Sequence, residues 1–237
     1  MNTYRKTARI VGVLFIISTV AGVLSVVGSG PIIDAPDYLI TASANENRVI
    51  IGALLELIMA AAFVSIPVML FQILKKHNKS IALGYVVARS FEAVPVVVGV
   101  ISLLSLLTLS QEYVQAGAPD ASYFQALGTL LLTVRDWTHV IGPMIFAAIG
   151  ALSFYYLLYK SRLVPRWLSG WGLIGATLFL AAGLLGMFGL SPFSTTSTIL
   201  VLPHALQEMV LAVWLIVKGF NPSAIVSGSA KTDINEV

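Results

Sequence analysis

Residues 202–220 read LPHALQEMVLAVWLIVKGF, an apolar stretch interrupted by His204 and Glu208. It has the character of a segment that crosses a bilayer, for which about 20 mostly apolar residues suffice. The two ionisable groups are four residues apart, a spacing that stacks them on one face of a helix. An ionisable side chain at membrane depth is costly and turns toward a bundle interior or a wet cavity where partners compensate it. The chain supplies candidates: Glu56, Arg89 with Glu92, and Asp136 with His139 each interrupt another long apolar run. The pattern predicts an all-α, polytopic membrane helical bundle with a buried polar cluster.

The composition agrees. Of 237 residues, 57% are hydrophobic and 11% charged, against roughly 25% charged in a soluble domain. The mean hydropathy is +0.90. The formal charge of +3 does not point to nucleic acid. Its basic residues sit in short clusters between apolar segments, as topology signals do, and no basic-aromatic run is available to follow a phosphate backbone. The absence of cysteine excludes disulfides, thiolate metal sites, cysteine nucleophiles and palmitoylation. Arg5, Lys6 and Arg9 before Ile10 resemble the start of a signal peptide. The apolar stretch that follows exceeds the usual h-region of about 7 to 15 residues, so an uncleaved first helix is expected.

In chain order, the first helix is expected over residues 8–27, ended by the breaker Gly28-Ser29-Gly30-Pro31. A loop to Ala44 follows. The second helix runs from Glu46 to Leu74 with a kink at Pro67, then a basic turn over residues 75–79, then a third helix from Ser80 to Leu109. After a polar loop, residues 123–159 are apolar except at Arg135-Asp136-Trp137-Thr138-His139. As one helix this would be about 55 Å long at 1.5 Å per residue, against a hydrocarbon core of about 30 Å. Tyr123 to Thr133 is therefore read as a separate short helix or tilted extension, and Val134 to Tyr159 as the span. The fifth helix covers Arg166 to Phe188, with Pro165 suited to its first turn. The opening stretch forms the sixth. Residues 1–220 make a single transmembrane domain, and 221–237 a polar, disordered tail.

Basic residues orient the bundle. Arg5, Lys6 and Arg9, then Lys75, Lys76 and Lys79, then Lys160, Arg162 and Arg166, then Lys218 and Lys231 all fall on one side of a six-span arrangement. The positive-inside rule places that side, with both termini, in the cytoplasm, and the chain in the inner membrane. Tyr155, Tyr156, Tyr159, Trp167 and Trp214 are expected at the same interface. Three helices plus three would make any repeat inverted, but the halves show no sequence echo.

Among short motifs, Gly170-Trp-Gly-Leu-Ile-Gly175 matches a dinucleotide fingerprint in letters only. It lacks a preceding strand and a following acidic residue, and small residues that let helices pack closely explain it better. No H-E-x-x-H, G-x-S-x-G or Walker loop is present, so no catalytic residue, metal ligand or cofactor is assigned.

The polar cluster is the remaining signal. Glu56, Glu92, Asp136 and Glu208 stand against Arg89 and Arg135, a negative surplus that protonated carboxyls, a charged His139 or His204, or a bound cation would relieve. One reading is a polar network that only holds helices together. A second is a metal-dependent hydrolase in which His139, His204 and a carboxylate hold an activated water. The reading carried forward is a small-solute or ion-coupled binding site, because ionisable groups at depth mark such paths. In it Arg89 anchors an anionic group or carboxylate, Glu92 and Glu208 carry a proton or cation, and Asp136 holds a neighbouring charge. The partners are the lipid bilayer and a small molecule or cation. Counting from helix ends puts Glu56, Glu92, Asp136, His139, His204 and Glu208 at one level in the outer half, with Arg89 reaching up from below.

Three segments carry a resemblance: Arg89-Ser-Phe-Glu92-Ala93, Tyr156-Leu-Leu-Tyr-Lys-Ser161 with Pro165 and Leu168, and Glu208 followed by Trp214-Leu-Ile-Val-Lys-Gly-Phe220. Over nearly the whole chain the sequence resembles a bacterial membrane family catalogued as domain of unknown function 4386. The resemblance implies a six-helix bacterial membrane protein and no particular activity. Arg89, Glu92, Asp136 and Glu208 match positions of the family pattern. His139 and His204 do not, which weakens the metal reading.

Overall fold

The structure is a computed structural model that describes residues 3–117, 122–191 and 194–226. Its helices are α1 (Thr3–Ile33), α2 (Tyr38–Ala44), α3 (Glu46–Leu74), α4 (Lys79–Gln115), α5 (Ser122–His139), α6 (Ala147–Ser161), α7 (Arg166–Met187) and α8 (Thr195–Val217). A π-helical segment, Val140–Phe146, joins α5 to α6 without a break. Six units are long and apolar enough to cross a membrane: α1, α3, α4, the continuous α5–α6 unit, α7 and α8. No strand occurs among the described residues.

The helices are apolar nearly all round because each has two apolar surroundings, lipid and bundle. Val23, Ile58, Val94, Ile101, Ile174 and Ile199 face outward, while Phe15, Leu70, Tyr85, Phe154, Leu158 and Leu211 fill the main core. That core lies toward the end of the bundle that carries the basic turns. α1 runs between α3 and α8, α4 packs on α3 and on the α5–α6 unit, and α7 bridges α6 and α8. Small residues set these approaches. A Cβ on Gly175 would stand 3.0 Å from the His204 Cα, so the glycine lets α7 cross α8 at that residue.

Several boundaries differ from the sequence expectation. α1 does not stop at Gly28 but continues through Pro31 to Ile33. The hydrogen bond that proline forfeits falls in the final turn, and burial of Ser29 and Ile32 against neighbouring helices holds that turn in place. The expected loop before Ala44 contains α2, whose Leu39 packs with Leu106 and Phe124. α4 runs past Leu109 to Gln115 because Ser110 is buried and α2 and α5 support the extra turns. α3 has the expected bounds.

Of the two readings of Tyr123 to Thr133, the structure has the extension and not the separate helix: α5 passes through Thr133 without a break. The irregularity comes later, around Pro143, where the helix widens. Proline has no N–H and crowds the carbonyl four residues back, and a π turn accommodates both effects. The α5–α6 unit is about 60 Å long at 1.5 Å per residue. Its excess length lies at the start, where Phe124 and Gly128 are buried and the Tyr38 hydroxyl of α2 donates to the Gln125 carbonyl at 3.3 Å.

Tyr155 is not an interfacial residue: at 1% exposure it lies in the core against Phe154 and the His204 ring. Trp167 and Trp214 do meet, edge to face, with centroids 6.3 Å apart. Beyond residue 220 the chain stays packed. Asn221 N–H donates to the Leu163 carbonyl at 2.8 Å, and Ala224 is buried. The rest of the expected tail, 227–237, lies outside the described residues.

Candidate functional site

Two polar groups are strung along α4, one beside Gly99 and one at Arg89–Glu92. Seven residues separate Glu92 from Gly99, about 10 Å along a helix.

The group farther from the basic turns, called outer for that reason alone, is built on Glu56 of α3 and Arg135 of α5. Arg135 donates from Nη1 to Glu56 Oε2 at 3.1 Å and from Nη2 to Glu56 Oε1. Two parallel donors on one carboxylate form the planar fork that guanidinium favours. Ser25 Oγ donates to Glu56 Oε1 at 2.8 Å, and Arg135 Nη1 also donates to the Gly99 carbonyl at 3.2 Å. Gly99 makes this approach possible. A Cβ there would stand 2.8 Å from Thr138 Oγ1 and 4.0 Å from Arg135 Nη1. Thr138 is itself fixed by donating to the Arg135 carbonyl at 2.7 Å.

A cavity of about 640 Å³ opens beside this pair, between α1, α3, α4 and α5. Its polar lining includes Asp34, Glu56, Arg135, Asp136 and His139, and Val26, Met59 and Val96 contribute apolar wall. His139 lies in the field of Arg135 and Glu56. Asp136 lies in the field of Arg135 and Asp34. Neither Asp34 nor Asp136 forms an ion pair among the described residues.

The inner group combines α4, α6 and α8. Arg89 Nη1 and Glu92 Oε2 form an ion pair at 2.8 Å, one turn apart on the same helix, and both residues are buried. The Arg89 guanidinium lies over the Phe63 ring at 4.6 Å, and its stem passes the space left open by Gly150. Its Nε and Nη2 have no hydrogen-bond partner among the described residues. Glu208 of α8 is half-buried and lies in the field of the same guanidinium, as does Glu92. His204, one turn earlier, stacks on Phe179 with centroids 4.9 Å apart and meets Tyr155 edge-on. Gln207 Nε2 donates to the Leu168 carbonyl at 3.1 Å, tying α8 to α7.

The candidates expected at one level thus divide. Glu56, Asp136 and His139 belong to the outer group; Arg89, Glu92, His204 and Glu208 belong to the inner one. Depth counting failed for Glu92 because α4 extends 23 residues beyond it, to Gln115, so it lies well below the outer end. Arg135, expected as a counter-charge and not as a site residue, proves to be the centre of the outer group. Ser25, Asp34 and Thr138 were not singled out. A polar residue on the apolar stretch of α1 was the available signal for Ser25.

The arrangement defines a class: a multi-pass helical membrane protein whose interior holds two ion-paired groups, one of them open to a cavity. More particularly, the chain belongs to the family described as domain of unknown function (DUF4386), whose model matches residues 10–219 and so takes in both groups. No curated protein and no solved structure matches the chain.

Proposed function

We propose that the chain binds a small amphipathic cation in the outer cavity, as the binding step of solute transport. The observation that carries this reading is the charge balance of the cavity. Glu56 is already matched by Arg135, while Asp34 and Asp136 remain without ion pairs beside apolar walls. Two unmatched carboxylates next to Val26, Met59 and Val96 suit a ligand with one positive end and one apolar end. Such sites are mostly apolar with a few convergent polar groups. The inner group supplies the coupled charge in this reading. One guanidinium faces both Glu92 and Glu208, and ionisable groups at depth mark ion and proton paths. The orientation that goes with it has both termini in the cytoplasm of a bacterial cell, with the cavity toward the outside.

The test is calorimetric titration of the purified full-length protein with a small alkylammonium ion, its neutral isostere and a carboxylate of equal size. The cation is expected to bind best, and Asp136→Asn to weaken it about tenfold, the equivalent of 1.4 kcal/mol. Equal affinity for the neutral isostere would refute the reading. A second reading, a network that only joins helices, draws support from the outer pair, in which both Glu56 oxygens are engaged. It predicts no saturable binding of any probe. The hydrolase reading draws no such support, because His139 and His204 stand in different groups.

A further inference from the structure

At the opposite end of the bundle, the α6–α7 turn meets the end of α8 around a chamber of about 600 Å³. Arg162, Arg166 and Lys218 line it together with Trp214 and Asn221, and the lining includes no carboxylate. None of the three cations forms an ion pair among the described residues. Arg166 is held over the Tyr159 ring at 5.2 Å. Arg162 occupies a left-handed backbone position, φ 57°, which glycine fills at lower cost. A strained arginine is a sign that its side chain is wanted there. Beside the chamber a shallow apolar trough of about 440 Å³ lies along α8 over Met209, Val210, Val213 and Val217, and it shares Trp214 and Lys218 with the chamber. Topology accounts for basic residues at this end. It does not account for a chamber between them or for an exposed apolar trough that shares Trp214 and Lys218 with that chamber.

We propose that chamber and trough together hold one anionic phospholipid, its phosphate among Arg162, Arg166 and Lys218 and an acyl chain along Met209, Val213 and Val217. The two surfaces match the two halves of such a molecule. Phosphate is recognised by guanidinium forks and an ammonium group. Tryptophan at the junction suits the boundary between headgroup and hydrocarbon, where its ring is at home. Basic pockets between membrane helices are a known mode of anionic headgroup binding. The site shares no residue with the outer cavity and does not depend on the cation reading.

The test is native mass spectrometry of the full-length protein in detergent, titrated with phosphatidylglycerol, phosphatidylcholine or inorganic phosphate. The parent is expected to retain one phosphatidylglycerol in preference to phosphatidylcholine. Arg162→Gly with Lys218→Gln is expected to lower that retention about 30-fold, from two basic residues lost at an anionic surface. Glycine relieves the left-handed strain, so this variant keeps its fold, and its melting temperature checks that. Val213→Trp, which fills the trough, is expected to reduce phosphatidylglycerol retention as well. Three results would each overturn the proposal. One is equal retention of the two lipids. Another is an equal loss from Lys79→Gln at a different basic turn, which would mean general attraction to a basic surface. The third is displacement of the lipid by millimolar inorganic phosphate, which would make the chamber a free-anion site.

Discussion

Arg135 and Glu56, 79 residues apart in the chain, are joined by paired hydrogen bonds that use both carboxylate oxygens. The pair links α5 to α3 at the wall of the outer cavity. Removing one member leaves the other charged in a poorly solvated place. Arg135→Ala is therefore expected to destabilise the protein by about 3 kcal/mol. Arg135→Ala with Glu56→Ala should cost less than the sum of the single changes. Denaturation in detergent measures both, and additivity would show that the pair is not coupled.

A second expectation concerns the space at Gly99. Alanine there would bring its Cβ to 2.8 Å from Thr138 Oγ1, an overpacking that costs about 1 to 3 kcal/mol. Thr138→Ala removes the obstructing atom. The double variant should recover most of the loss seen with Gly99→Ala alone, by thermal melting. If Gly99→Ala melts like the parent, the approach of α5 to α4 is looser than described.

Arg89 and Lys79 lie on the same helix in different settings. Arg89 is 5% exposed, with Glu92 against it and Glu208 in range; Lys79 is exposed. Arg89→Ala should lower stability by about 3 kcal/mol by stranding buried carboxylates. Lys79→Ala should stay within about 0.5 kcal/mol of the parent. Arg89→Lys keeps the charge but loses the planar stacking on Phe63 and should fall between them.

Orientation is open to a direct test. Reporter fusions at Lys79, after Arg162 and after residue 226 should report one compartment, the cytoplasm, and a fusion at Asp37 the other. A reversed pattern would put the outer cavity on the cytoplasmic side and redirect the proposed binding step.

The six spans were legible in the sequence because each is a run of about 20 apolar residues between polar turns. The ends of α3 were legible, since Glu46 and Lys75 flank a stretch that is apolar but for a few residues, Glu56 the deepest of them. Ends held by tertiary contact were not legible. The last turn of α1 depends on Ser29 and Ile32 finding neighbours, and α2 depends on Leu39 meeting Leu106 and Phe124. For the site, the sequence identified residues that ionise in apolar surroundings, but pairing is a matter of rotation and height. Glu92 takes Arg89, three residues earlier on the same helix, which the spacing allows, whereas Glu56 takes Arg135 only because of the course of α5 beside α3. Asp34 had no distinguishing local pattern, because it belongs to a polar connection and acquires its place only through the packing of α1.

The π segment has a consequence for how the two polar groups relate. Each α-helical residue advances about 100° around the axis, and a π turn is an α-helix that has absorbed extra residue content. The seven residues Val140–Phe146 therefore set the phase between α5, which presents Arg135 to Glu56, and α6, which presents Tyr155 to His204. One helix is in effect two keys cut on a single shaft at a fixed angular offset. An α-helical path through the same seven residues would turn one key by about 100° against the other, because a π turn winds fewer degrees per residue. All six spans would survive, yet Arg135 and Tyr155 could no longer both meet their partners. The widened stretch is thus what lets an extra residue sit between the two groups without turning either one away from its partners.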